Sequence, residues 1–161
     1  MKYDLVKPIR FFISFTLACF LFSCDQIDVF EKHTSIPDQK WDSNFLCTGS
    51  FEIKDTSSFY KISIVIRHTD AYKYNNIWLQ LGLQMPGDTM NFQKINLALG
   101  DDANGWYGSG MGDIFEVRKP LTKYPKQFNK PGVYKYSLSN IMRDNPWEHI
   151  MSVGIRIEKA K

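Results

Sequence analysis

Tyr60-Lys61-Ile62-Ser63-Ile64-Val65-Ile66-Arg67 reads as a β-strand. In an extended chain successive side chains point to opposite faces, so Tyr60, Ile62, Ile64 and Ile66 form one row and Lys61, Ser63, Val65 and Arg67 the other. The β-branched residues that fill the run are stiff at χ1 and fit a pleated surface better than a helix. A strand with one apolar row needs a second layer to bury that row against.

The same period of two recurs on both sides. Downstream, Ile77, Leu79, Leu81, Leu83 and Met85 alternate with Trp78, Gln80, Gly82 and Gln84 until Pro86-Gly87-Asp88 turns the chain. Upstream, Phe45, Cys47, Gly49, Phe51 and Ile53 share a face opposite Thr48, Ser50 and Glu52. Tyr134, Tyr136 and Leu138 form another inward row, as do Met151, Val153, Ile155 and Ile157. Residues 29–35 are expected as an edge strand and residues 114–117 as a short one. Within residues 89–99 the apolar phase changes, from Met90 and Phe92 to Ile95, Leu97 and Leu99. A one-residue slip reverses every side chain, so a bulge is expected at Gln93-Lys94. Asp102-Ala103-Asn104-Gly105 is a turn, and residues 120–131 are a basic, proline-punctuated surface connection. The one helical candidate is residues 139–145, capped by Ser139 or Asn140 and stopped by Pro146. About seven or eight short strands with almost no helix predict an all-β fold, a two-layer antiparallel β-sandwich of jelly-roll type.

Ahead of these strands stands a leader. Lys2, Lys7 and Arg10 precede an apolar run of about twelve residues, 11–22, the length of a signal-peptide core and too short for a membrane span. Leu21-Phe22-Ser23-Cys24 then resembles a bacterial lipobox, in which the cysteine is diacylated and becomes residue one of the mature chain. A cut before Cys19 would leave only a handful of apolar residues upstream, which favours Cys24. The expected organisation is a lipoprotein signal peptide over residues 1–23, a tether and first edge strand over 24–36, and a single β-sandwich domain over 37–161. Two or three acyl chains on Cys24 would hold the protein on a membrane, whereas one chain binds marginally.

Loss of the leader removes Lys2, Lys7, Arg10 and Asp4, so the formal charge falls from +3 to +1. Nucleic-acid binders carry a basic stripe within the domain itself, and none is expected here. With Cys19 in the leader and Cys24 acylated, Cys47 has no partner for a disulfide and is expected to be a buried, inert thiol.

Candidate chemistry is sparse. Gly108-Ser109-Gly110-Met111-Gly112 has the wrong spacing for a dinucleotide fingerprint and lacks a surrounding βαβ unit. Its glycines suit positive φ angles and close backbone approach. Asp101-Asp102-Ala103-Asn104-Gly105 resembles part of a calcium loop, but the first ligand position falls on Gly100 and no glutamate occupies the twelfth. His33, His68 and His149 form no metal-binding spacing and are expected in solvent. No nucleophile elbow or P-loop occurs. No cofactor, metal or catalytic residue is assigned, and a hydrolase would need two carboxylates facing across a cleft. Trp41, Trp106, Tyr107 and Trp147 fall in loops or at strand ends. Of these, Trp106, Tyr107 and Trp147 are the candidates for an interface or a sugar platform, against the alternative that they pack the rim.

A set of features spread over nearly the whole chain resembles the gliding-motility lipoprotein GldH family of the Bacteroidetes. They are the lipobox at Cys24, Trp41 after Pro37, the strand ending in Arg67, Tyr74-Asn75-Asn76-Ile77-Trp78-Leu79, Asn104-Gly105-Trp106-Tyr107-Gly108-Ser109-Gly110 with Gly112-Asp113, and the closing Val153-Gly154-Ile155-Arg156-Ile157-Glu158-Lys159. The resemblance implies a lipid-anchored, non-enzymatic protein of the outer membrane, on its periplasmic or cell-surface face. It would act in gliding and in type IX secretion through contacts with other lipoproteins or outer-membrane proteins. Only the acylated cysteine carries over, onto Cys24. The alternative reading is a carbohydrate-binding surface lipoprotein, which requires Trp106, Tyr107 and Trp147 exposed on one platform.

Overall fold

The computed structural model describes residues 29–160. Cys24, Cys19 and the leader lie outside the described residues. In chain order the strands are β1 (Val29–Ser35), β2 (Lys40–Trp41), β3 (Cys47–Ile53), β4 (Tyr60–Thr69), β5 (Asn76–Gln84), β6 (Met90–Ala98), β7 (Gly100–Asp101), β8 (Gly105–Trp106), β9 (Ser109–Met111), β10 (Ile114–Pro120), β11 (Gly132–Asn140), β12 (Trp147–Glu148) and β13 (Ile150–Lys159), with one 3-10 turn at Pro37–Gln39. All pairings are antiparallel, in a sheet of order β1-β13-β4-β10-β9 and a second of order β3-β11-β5-β6. The two-stranded pairs β2–β12 and β7–β8 sit at one end.

The alternating rows define the core. Ile64, Ile66, Val153 and Ile155 of the first sheet and Ile77, Leu79, Leu81 and Leu138 of the second all belong to one buried cluster. Aromatic rings bridge the layers: Phe30 of β1 lies 5.8 Å from Phe51 of β3. Phe128, from the connection between β10 and β11, is buried among Tyr60, Tyr134 and Phe51 at centroid distances of 5.3, 4.9 and 5.8 Å. That connection is therefore a plug under the sandwich as well as a surface loop.

The outer row of β4 is not solvated as its pattern suggests. Val65 is 0% exposed, under a lattice of charges on that face. Arg156 pairs with Glu31 and, at 2.8 Å, with Glu158, while Arg118 reaches Glu31 at 3.4 Å and Glu116 at 2.8 Å, and Arg67 reaches Glu116 at 2.6 Å. Arg118 is the cross-strand neighbour of Val65, and an arginine stem can cover apolar surface while its head stays in an ion-pair network.

Four local expectations are corrected. Residues 139–145 form no helix, because Ser139 and Asn140 continue β11 opposite Gln80 and Leu79. Asn140, 3% exposed, donates from Nδ2 to the Trp41 carbonyl at 2.9 Å and accepts from the Met142 amide at 2.9 Å. No bulge occurs at Gln93-Lys94, since β6 pairs with β5 in unbroken register. Met90 and Phe92 instead face outward over Gly82, where an added Cβ would lie 2.7 Å from the Met90 sulfur and 2.8 Å from the Phe92 ring. A register shift does occur at Met151, between Ile150 and Ser152, so Ile150 takes the buried place and Met151 is only half-buried. His68 is not solvated but 0% exposed, within the inner row of β4.

Candidate functional site

Val29, Glu158 and Lys61 lie at one end of the sandwich, by the register of β1, β13 and β4. The opposite, distal end carries both small sheets and the loop from β4 to β5. There a cleft of about 420 Å³ opens between the loop from β4 to β5 and the β7–β8 hairpin, lined by Tyr72, Lys73, Asn75, Asp101, Asp102 and Trp106. Two blocks that carry the family resemblance, residues 74–79 and 104–110, flank it.

Asp101 shapes the hairpin. Its Oδ1 accepts from the Ala103 amide at 2.9 Å and the Asn104 amide at 2.6 Å, and its Oδ2 accepts from the Tyr107 hydroxyl at 2.5 Å. The Tyr107 and Asn104 hydrogen bonds hold its carboxyl down at about 2. A carboxylate so fully bonded within its own turn stays anionic at neutral pH and has no proton to give. The same bond raises the Tyr107 hydroxyl, whose ring lies 4.1 Å beneath the Lys119 ammonium. On the other wall the Tyr74 hydroxyl donates to Asp144, which raises the tyrosine in the same way. Asp102 and Lys73 are the exposed charges that face the opening.

Beneath the cleft lies an aromatic knot. Trp106 is part-buried, its ring 4.6 Å from His68 and 6.3 Å from both Tyr72 and Phe115. Its indole rests on the backbone of Gly100, where an added Cβ would come within 3.1 Å of the ring, and not on the downstream glycine run. The run serves the neighbouring strands: Gly108 has φ +88° and lies so near the Glu116 carbonyl that a Cβ would be 2.0 Å from its oxygen. His68 gives Nδ1 to the Thr69 carbonyl at 2.9 Å, its Nε2 has no partner among the described residues, and burial lowers its pKa.

The three candidate aromatics do not share a platform. Trp147 is 1% exposed, edge-on to Trp41 at 5.8 Å within the β2–β12 pair. It belongs to the core, and its proposed place at a surface is corrected. Tyr107 is held by Asp101 and Lys119, whereas Trp106 packs on His68 and Tyr72. The reading of a flat sugar platform therefore lacks its surface.

Sequence reading missed the charge of this end. Asp38, Asp42, Asp70, Asp101, Asp102, Asp113, Asp144 and Glu148 stand there against Lys40, Lys73, Arg143 and the Lys119 ammonium over Tyr107. The excess is invisible in a chain that is nearly neutral as a whole, because it appears only when the folded loops are brought together. Cys47 matches expectation: it is 1% exposed and burial pushes its thiol up to about 12.

Fold and cleft together define the class, a two-layer antiparallel β-sandwich with a cleft of anionic and aromatic side chains among its distal loops. The family model described as GldH lipoprotein matches residues 28–157, and the chain belongs to that family. It is 29% identical over 157 residues to the gliding motility lipoprotein GldH homolog of Christiangramia forsetii, covering 93% of this chain and 94% of that one. It is 24% identical over 149 residues to the gliding motility lipoprotein GldH of Flavobacterium johnsoniae, covering 88% and 91%. Among solved structures, the infectious bursal disease virus VP2 subviral particle aligns with a TM-score of 0.32 and 14% identity, over 83% of this chain and 33% of that one, too weak a likeness to carry an argument.

Proposed function

We propose that the mature protein is held on the outer membrane by acyl chains on Cys24 and acts, without catalysis, in gliding motility and the associated type IX secretion machinery. It does so by binding other lipoproteins or outer-membrane proteins through its distal end. Membership of the GldH lipoprotein family supports the anchor and the process. The observation that carries the contact reading is the position of the cleft. It lies at the end of the sandwich away from Val29, where the chain from Cys24 enters the fold. A strand of ten residues spans roughly 33 Å, so a distal cleft on a sandwich of this length stands clear of the bilayer and open to a partner.

The test is a pair of charge reversals on exposed side chains, Asp102→Lys and Lys73→Glu, introduced into the native gene. Melting of the purified variant should match the parent, while colony spreading, secretion of type IX cargo and crosslinked partners should fall together. Full motility, secretion and crosslinking in the double variant would refute a distal contact site.

A further inference from the structure

The end opposite the cleft is built differently. β1 enters the fold there, with Val29 opposite Glu158, and four residues separate Val29 from Cys24. At about 3.3–3.6 Å per residue, that tether reaches no more than about 17–18 Å. On the acyl-anchor reading, this proximal end is never far from lipid.

Its surface has the composition of a membrane interface. Phe59 is 53% and Tyr124 68% exposed. Phe59 accepts the Ala160 amide at 2.7 Å, beside the end of β13, and Lys126 exchanges backbone hydrogen bonds with Tyr60 at 2.8 and 2.9 Å. Both loops therefore lie where the chain enters. The carboxylates here are already matched: Glu52 by Lys54, Asp55 by Lys159, Asp88 by Lys130 and Glu158 by Lys61. Lys123 and Lys126 form no ion pair among the described residues, so among those residues the surplus charge of this face is positive. Lys123 sits 5.3 Å over the ring of Tyr124. Among the described residues the sandwich is thus charged along its axis, basic on the connection that carries Lys123 and Lys126 and acidic at the cleft, while the tether sequence carries Asp25 and Asp28.

We infer that this proximal end is itself a lipid-binding face, resting on an anionic bilayer with Phe59 and Tyr124 among the headgroups and Lys123 and Lys126 against lipid phosphates. Tyr124, a ring with a polar edge, and lysines on long stems are side chains that favour this boundary, Phe59 adds exposed apolar area beside them, and basic residues near the boundary gain from anionic lipid. The contact would hold the sandwich upright, with the cleft aimed away from the membrane. This orientation rests on the anchor proposed above, but the lipid contact does not require acylation.

The test uses residues 25–161 with a hexahistidine tag in place of Cys24, loaded on vesicles of phosphatidylethanolamine, phosphatidylglycerol and a nickel-chelating lipid. An environment-sensitive fluorophore is attached at Phe59→Cys, Tyr124→Cys or, as the distal control, Met111→Cys, a site that is 85% exposed. Buried Cys47 does not compete for the label. At 59 and 124 the emission should shift to the blue and rise several-fold, and at 111 it should not change. Lys123→Glu with Lys126→Glu should abolish the rise at 124 without altering melting. Signals at 59 and 124 that match 111 would overturn the proposal, and an equal rise on vesicles with phosphatidylcholine in place of phosphatidylglycerol would overturn its electrostatic half. Silence on lipid with a response on native membranes would assign the face to a protein. Because the tag supplies the tether, none of these failures bears on Cys24, which acyl labelling tests alone.

Discussion

Trp106→Ala separates a packing role from a contact role. The indole covers His68 at 4.6 Å and also meets Tyr72 and Phe115. Truncating a fully buried tryptophan costs about 3–5 kcal/mol. Trp106 is only part-buried, so a loss of about 2–3 kcal/mol is expected, with the ring contacts supplying part of it. A second signature comes from the histidine. Burial holds the His68 pKa below its ordinary 6.5, so as pH falls below that value the unfolded chain takes up a proton that the folded chain refuses. His68 therefore contributes full stability above about pH 6.5 and loses it as the pH falls toward the lowered folded value. Removing Trp106 hydrates the ring, and the acid-side loss should shrink. Urea unfolding at pH 8 and pH 5.5, above the range where carboxylates titrate, measures both effects. Unchanged stability at pH 8 together with an unchanged difference between the two pH values would refute the packing argument, and lost motility on that background would make Trp106 a contact residue.

Three further outcomes are expected. Cys24→Ala should abolish incorporation of labelled palmitate, and persistent labelling that disappears only with Cys19→Ala would move the attachment site. Leu81→Ala and Ile155→Ala, at 2% and 0% exposure, should each cost about 2–5 kcal/mol in denaturant unfolding, and near-parental midpoints for both would show that the inner rows are misassigned. Burial alone would raise the Glu31 carboxyl, but hydrogen bonds from Arg156 and His33 and the charge of Arg118 outweigh it and lower its pKa. Its stabilisation is thus present above about pH 4.5 and lost as pH falls through the lower folded value. Glu31→Gln should destabilise at pH 7 and flatten unfolding against pH on the acid side, whereas a parallel acid profile would show that the charge lattice contributes nothing.

The placement of the strand ladders was legible because it depends on local side-chain order. Tyr60, Ile62, Ile64 and Ile66 must turn one way in any extended chain, and the same holds for residues 77–83 and 153–157. The edge strand at Val29–Ser35 and the turn at Asp102–Gly105 follow from equally short-range patterns. What remained illegible involves partners distant in sequence. Ser139 and Asn140 look like a helix cap until β5 and Trp41 supply the bonds that hold them extended. Met90 and Phe92 suggest a bulge until Gly82 provides bare backbone for outward side chains to cover. Trp147 looks like a surface aromatic until β12 pairs with β2 and encloses it beside Trp41. The sequence by itself thus determined the longer strands, the two-layer architecture and the family, but not the short strands β2, β7, β8, β9 and β12. Only the tertiary structure decided which apolar residues are covered, which carboxylates gather around the cleft and which lysines collect where the chain enters. Periodicity is a property of neighbours along the chain, whereas burial and local charge are sums over whatever the fold brings within reach.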